Sequence, residues 1–97
     1  MTNSNMILCA ERCSAILDAL LEAGVRAPEP LLSAQAGVDH ALGRFQGARL
    51  LVKEQHYSER ACRLCNEAGF RLGDAIAGAL LAVQGAVENA GKERAHA

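Results

Sequence analysis

The stretch AIAGALLAV, residues 75–83, decides the fold, because it places nine apolar residues in a row. A helix with such a run is apolar on every side, and helices of that kind are normally buried all round. Leu80 and Leu81 lie about 100° apart around the helix. One apolar stripe along this helix consists of Leu72, Ile76, Val83 and Val87, and Leu81 lies outside it. A chain of 97 residues has few helices to cover both sides, so we expect another chain to cover the second side.

The composition predicts an all-α domain. Alanine occurs 19 times and leucine 13 times, while valine and isoleucine together give eight residues. Alanine and leucine favour helices, whereas strands need β-branched and aromatic residues. We therefore expect a single helical domain over residues 1–97, built as a three- to four-helix bundle or a helical hairpin, dimeric, with frayed ends at 1–4 and 91–97. The apolar content excludes disorder, and the longest apolar run is too short to suggest a membrane span.

Local signals predict where the helices begin and end. Helix 1 starts near Ser4 or Asn5, either of which can cap a helix, and ends before Gly24, a residue suited to the left-handed position after a helix. Helix 2 starts near Pro30, because proline fits a first helical turn. The apolar stripe is lost over residues 54–57, and Ser58 can begin a new helix.

Glycines predict two further features. Gly69 precedes an apolar residue as Gly24 does, so we expect the last segment to be a bent or interrupted pair of helices. Gly37, Gly43 and Gly47 lie within helix 2, where each costs up to about 1 kcal/mol relative to alanine. They indicate either the close approach of another backbone or a helix that is marginal alone.

Charge and targeting signals favour a cytoplasmic protein without a strong electrostatic bias. The chain carries 11 acidic and 10 basic residues, for a net charge of −1. No basic run precedes an apolar stretch at the start, so no secretory signal is predicted. In a reducing cytosol the four cysteines would be thiols or metal ligands and not disulfides.

The cysteines form two pairs at helical spacing. Cys9 and Cys13 are four residues apart, and Cys62 and Cys65 are three apart. Two facing helices could present four thiolates to a tetrahedral Zn²⁺, and the thiols could also sense oxidants. All four lie on apolar stripes, however, where free cysteine packs as a small hydrophobic residue. We therefore predict core packing, with metal binding and redox sensing as alternatives.

The catalytic motifs that we considered are missing, so no enzyme and no cofactor are predicted. No serine lies in a G-x-S-x-G or S-x-x-K pattern, and no phosphate-binding loop with its lysine is found. We expect instead a small cytosolic regulator or adaptor that binds another protein. Large apolar, aromatic and arginine side chains dominate binding energy at such interfaces. The predicted protein-binding residues are Leu50, Leu51, Phe70, Ile76, Leu80, Leu81, Arg49 and Tyr57.

One stretch carries a resemblance. The residues 31–38, read as Leu-Leu-Ser-Ala-Gln-Ala-Gly-Val, are followed by Ala41-Leu42 and Leu50-Leu51. Over roughly residues 31–88 this order resembles a family of small pseudomonad helical proteins of unknown function, which implies a helical hairpin and no enzymology. In size and character the chain is also similar to small helical antiactivators that sequester transcription regulators. That likeness implies a transcription regulator as partner. A second copy of the chain is the other expected partner.

A basic central segment supports an alternative. Residues 44–71 hold six basic and three acidic side chains, and Arg60 and Arg63 lie one turn apart at the start of the third helix. A helix-turn-helix protein would place such residues on its recognition helix. DNA binding through segment 44–71 and metal binding by the four cysteines are therefore the alternative functions.

Overall fold

Three α-helices account for almost the whole chain. The computed structural model describes residues 3–96, and the side chains of residues 5–92. The helices are α1 (Asn3–Glu22), α2 (Glu29–Glu54) and α3 (Glu59–His96), and the described residues contain no strand. The all-α prediction is confirmed, with three helices. Met1, Thr2 and Ala97, which belong to the predicted frayed ends, lie outside the described residues.

The first turn follows its sequence signals. Gly24 has a φ of 81°, its N–H donates to the Leu21 carbonyl, and Val25 packs against the core. The antiparallel register of α1 and α2 is marked by two polar pairs. The Ser14 hydroxyl donates to Asp39 at 3.1 Å, and the Gln35 amide donates to Asp18.

The turn between α2 and α3 is a left-handed connection without glycine. His56 and Tyr57 have φ values of 51° and 60°. The Tyr57 N–H donates to the Val52 carbonyl at 2.8 Å, and the His56 N–H donates to that of Lys53 at 3.2 Å, which is the hydrogen-bond pattern of a Schellman motif. Ser58 then caps α3, because its hydroxyl accepts the Ala61 N–H at 3.2 Å.

The last helix is continuous, so the predicted break at Gly69 is wrong. Gly69 keeps a helical backbone and serves close packing instead. A Cβ at this position would lie 3.3 Å from the Phe45 ring of α2 and 4.0 Å from the Met6 sulfur of α1. The helix also runs on to His96, past Gly91, from which a frayed tail was expected.

The glycines of α2 do not bring another backbone close. A Cβ at Gly37, Gly43 or Gly47 would meet nothing within 4 Å. The predicted close approach of another backbone to these glycines is therefore wrong within this chain.

The core is a narrow strip between the helices. It is formed by the buried residues Ala10, Cys13, Leu17, Leu31, Val38, Phe45, Ala61, Cys65, Leu72 and Ala79. None of the buried residues is polar or charged among the side chains that the structure describes. Adjacent leucines divide between the inside and the outside, as Leu31 is 1% exposed and Leu32 is 51% exposed.

The molecule is a rod whose helices differ in length. At about 1.5 Å per residue, the 38 residues of α3 span about 57 Å, close to the 60 Å long axis. The 26 residues of α2 span only about 39 Å. Since Gly69 lies opposite Phe45, α2 reaches roughly to Gly85 of α3. Consistent with this, residues 87–92 are all exposed.

Candidate protein-binding surface

The main apolar surface of the protein lies on α3, opposite its buried side. Phe70, Ala77, Leu80 and Leu81 fall within an arc of about 100° around the helix, and we call these four residues the outer face of α3. Leu72, which is fully buried, points about 160° away from Phe70. Phe70 is 77% exposed, Leu81 69% and Leu80 50%, so α3 carries a second apolar face that its own chain leaves open.

The other predicted binding residues do not all belong to this surface. Leu50 and Tyr57 are exposed near the turn between α2 and α3. Leu51 and Arg49 are half-buried. Ile76 is half-buried because it packs against the chain's own core. The structure therefore divides the predicted residues into groups. Phe70, Leu80 and Leu81 lie on the outer face of α3, and Ile76 lies at its edge, one turn before Leu80. Arg49 and Tyr57 come together at the turn between α2 and α3.

The exposed area is large for a chain of this mass. A compact protein of 10.2 kDa has an accessible surface of about 5,300 Å², whereas this chain exposes 6669 Å². The excess is about 1,400 Å². The radius of gyration of 16.2 Å likewise exceeds the roughly 12.5 Å expected for 97 residues. The rod therefore lacks part of the burial that a globular domain of its size achieves.

The sequence-based exclusion of a membrane span does not extend to α3 as a whole. Over Glu59–Lys92 this helix is long and apolar enough, by length and composition alone, to cross a membrane. The core helix of a globular protein can pass the same test of length and composition. In this structure 11% of an apolar 18-residue stretch of α3 is buried, and further residues of it, among them Ile76 and Val83, are half-buried against the chain's own core.

The four cysteines are not gathered into one site. Cys13 and Cys65 are buried, Cys9 and Cys62 are half-buried, and all four are free thiols. Burial raises the pKa of the Cys13 thiol above the usual 9.0. Within the described residues no group of three or more His, Cys, Asp or Glu side chains could hold a metal ion. The Cys₄ geometry is therefore not assembled in one chain.

The basic segment does not have the geometry of a helix-turn-helix. That motif needs two helices at about 90–120° to each other, whereas a cross-section of 19 × 19 Å along 60 Å requires the helices to run along the rod. Arg44, Arg60 and Arg63 are exposed. Arg71 forms an ion pair with Glu67 at 2.8 Å.

A cavity at the turn between α2 and α3 was missed by sequence reasoning. It has a volume of about 160 Å³ and is lined by Arg49, Val52, Lys53, Tyr57 and Cys65. Its two basic residues are four apart, so they are neighbours on the surface of α2. A signal was present in the sequence, since no acidic residue stands three or four positions from either of them.

Comparisons with known proteins add no relative. No family model, no curated protein and no solved structure matches the chain. The resemblance to small pseudomonad proteins therefore stays a prediction.

Proposed function

We propose that the protein acts by binding a helix of another chain along the outer face of α3, and that the first occupant of this face is a second copy of the same protein. The observation that carries the proposal is the apolar outer face itself, with Phe70 and Leu81 more than two-thirds exposed. Apolar patches of this kind on a small protein mark sites of association.

The area supports an interface between chains. A specific protein interface buries about 800 Å² on each partner, and the whole chain exposes about 1,400 Å² more than a compact protein of its mass. The outer face lies on the longest helix, so an opposing helix can contact it without displacing α1 or α2. In a twofold dimer the same residues meet on both copies, which brings Leu81 and its neighbours into one apolar core.

A protein partner fits this face better than lipid does. Arg71, Asp74 and Glu88 lie on the same helix and are exposed. A charged side chain near the centre of a bilayer costs about 2.5–3.5 kcal/mol even on the most permissive scale. At the rim of a protein interface the same charges stay in water, where they cost little.

The biological role that we propose is that of a cytoplasmic regulator or adaptor without enzymatic activity. A target such as a transcription regulator would present an apolar helix and would compete with the second copy for the outer face of α3. An antiactivator that sequesters such a regulator is one form of this proposal.

Sedimentation equilibrium of the wild-type chain tests the first step. We expect a mass of twice 10.2 kDa at micromolar concentration and dissociation on dilution. A chain that stays at the monomer mass up to the highest soluble concentration contradicts the proposal. Flotation with neutral and anionic lipid vesicles is the second arm, and partition of the whole population into the vesicles would also contradict it.

A further inference from the structure

In the part of the chain that the structure describes, α1 does not cover the groove between α2 and α3 over its whole length. The pairs Ser14–Asp39 and Gln35–Asp18 set the register, which brings the first residue of α1, Asn3, level with Leu50. Beyond that level, in the described part of the chain, α2 and α3 continue without a third helix. The cavity lies at this end of the groove: Val52, Lys53 and Tyr57 are beyond the level of Asn3, whereas Arg49 and Cys65 are level with the first turn of α1.

The walls of the cavity divide into an apolar and a cationic part. Val52 is half-buried and Cys65 is 8% exposed, so they form an apolar floor. Arg49 and Lys53 are neighbours on α2, and like charges at this spacing repel each other. Within the described chain neither of them has an acidic partner. The positive charge of Lys53 is stabilised by the helix dipole, because it lies in the last turn of α2. Arg49 lies outside that last turn, so the helix dipole does not account for its charge.

The backbone holds Tyr57 at the rim of this cavity in an unfavourable conformation. His56 and Tyr57 both have positive φ values, and such residues persist only where the surrounding structure fixes them. The Tyr57 carbonyl is the nearest acceptor of the Cys62 thiol at 3.7 Å. The Tyr57 hydroxyl has no hydrogen-bond partner in the described chain, so it is available as a donor.

We infer that this cavity binds a small organic oxyanion, in which a carboxylate or phosphate group is carried on a short apolar body. The negative group would meet the Arg49 guanidinium, the Lys53 ammonium and the Tyr57 hydroxyl. Charge-assisted hydrogen bonds of this kind are the strong ones in proteins. The apolar body would cover Val52 and Cys65. The volume of about 160 Å³ is sufficient for a short apolar chain with one anionic group.

A titration followed by NMR tests this inference, with the amide signals of Tyr57 and Cys65 as reporters. Hexanoate and hexyl phosphate carry the two forms of the anionic group, hexanamide lacks the charge, and acetate and inorganic phosphate lack the apolar chain. We expect saturable shifts with both hexyl anions. Hexanamide, acetate and inorganic phosphate should each bind with a dissociation constant at least about tenfold higher than that of the hexyl anions. A preference for one hexyl anion identifies the group that the site selects.

Matched variants locate the binding. Lys53→Gln and Arg49→Gln should each weaken hexanoate binding about tenfold, whereas Arg44→Gln, an exposed arginine of the same helix outside the cavity, should leave it unchanged. Lys53 is exposed, so its variant folds even where that of the half-buried Arg49 does not. The inference is overturned if no hexyl anion gives saturable shifts, if hexanamide binds as well as hexanoate, or if Arg44→Gln weakens binding as much as Lys53→Gln.

Discussion

Replacing Leu81 by arginine should separate self-association from folding. Leu81 is 69% exposed in the single chain, so its replacement removes little packing and should change the free energy of unfolding of the monomer by no more than about 0.5 kcal/mol. Complete burial of a leucine side chain stabilises by about 1.5–3 kcal/mol. The exposed two-thirds would therefore contribute about 1–2 kcal/mol on each copy.

In a twofold dimer the substitution acts twice, so Leu81→Arg should weaken association by about 2–4 kcal/mol. This corresponds to a dissociation constant about 30-fold to 700-fold higher. Sedimentation equilibrium at several concentrations measures the constant, and far-ultraviolet circular dichroism with urea unfolding reports the monomer. Leu32→Arg is the matched control, because Leu32 is a half-exposed leucine on α2. Equal dissociation constants for Leu81→Arg and wild type, or an equal loss in Leu32→Arg, would refute the assignment of the interface.

Three further substitutions and titrations test the packing and the turns. Gly47→Ala should raise the free energy of unfolding by up to about 1 kcal/mol, because a Cβ there has no neighbour within 4 Å. Gly69→Ala should raise it less or lower it, because its Cβ would lie 3.3 Å from the Phe45 ring. Urea unfolding measures both variants. His56→Gly should stabilise by about 1 kcal/mol in the same assay, since it relieves a left-handed backbone in a residue with a Cβ, and an unchanged midpoint would argue against that backbone. Cys13 should react with a thiol reagent more slowly than the half-buried Cys9 at pH 8. Its rate should still rise with pH above 9.0, where the rate of a thiol with the usual pKa levels off, because burial raises the pKa of Cys13. The same shift lowers the stability of the folded chain as the pH rises above 9.0, because the unfolded state loses this proton first.

The turns show how far local signals reach. The end of α1 was predictable because Gly24 alone can adopt a φ of 81° without strain, and Ser58 was recognisable as a capping residue. Residues 54–57 do not predict two consecutive left-handed conformations, because histidine adopts them more often than most residues but tyrosine does not. That geometry is imposed by the packing of α2 against α3, which a single sequence does not contain.

Gly69 illustrates the same limit in the opposite direction. Its sequence context repeats that of Gly24, yet one glycine ends a helix and the other lies within one. The difference is the ring of Phe45, which occupies the space that a Cβ would take. The contact joins residues 24 positions apart, so a local comparison of the two glycines could not reveal it.

The outer face of α3 was foreseeable in outline because the apolar run of residues 75–83 surrounds the helix, and a chain with so few helices cannot cover every side of it. Which of the predicted residues share that face depends on the side of α3 that packs against α2, and contacts between distant residues, such as Gly69 with Phe45, fix that side. α3 exceeds α2 by 12 residues, or about 18 Å, and α1 is shorter still. These are two separate differences in length. Where α3 runs past α2, no neighbour covers apolar side chains such as Val87. At the turn between α2 and α3, the described α1 stops short, and the groove that Arg49 and Lys53 line has no third helix there.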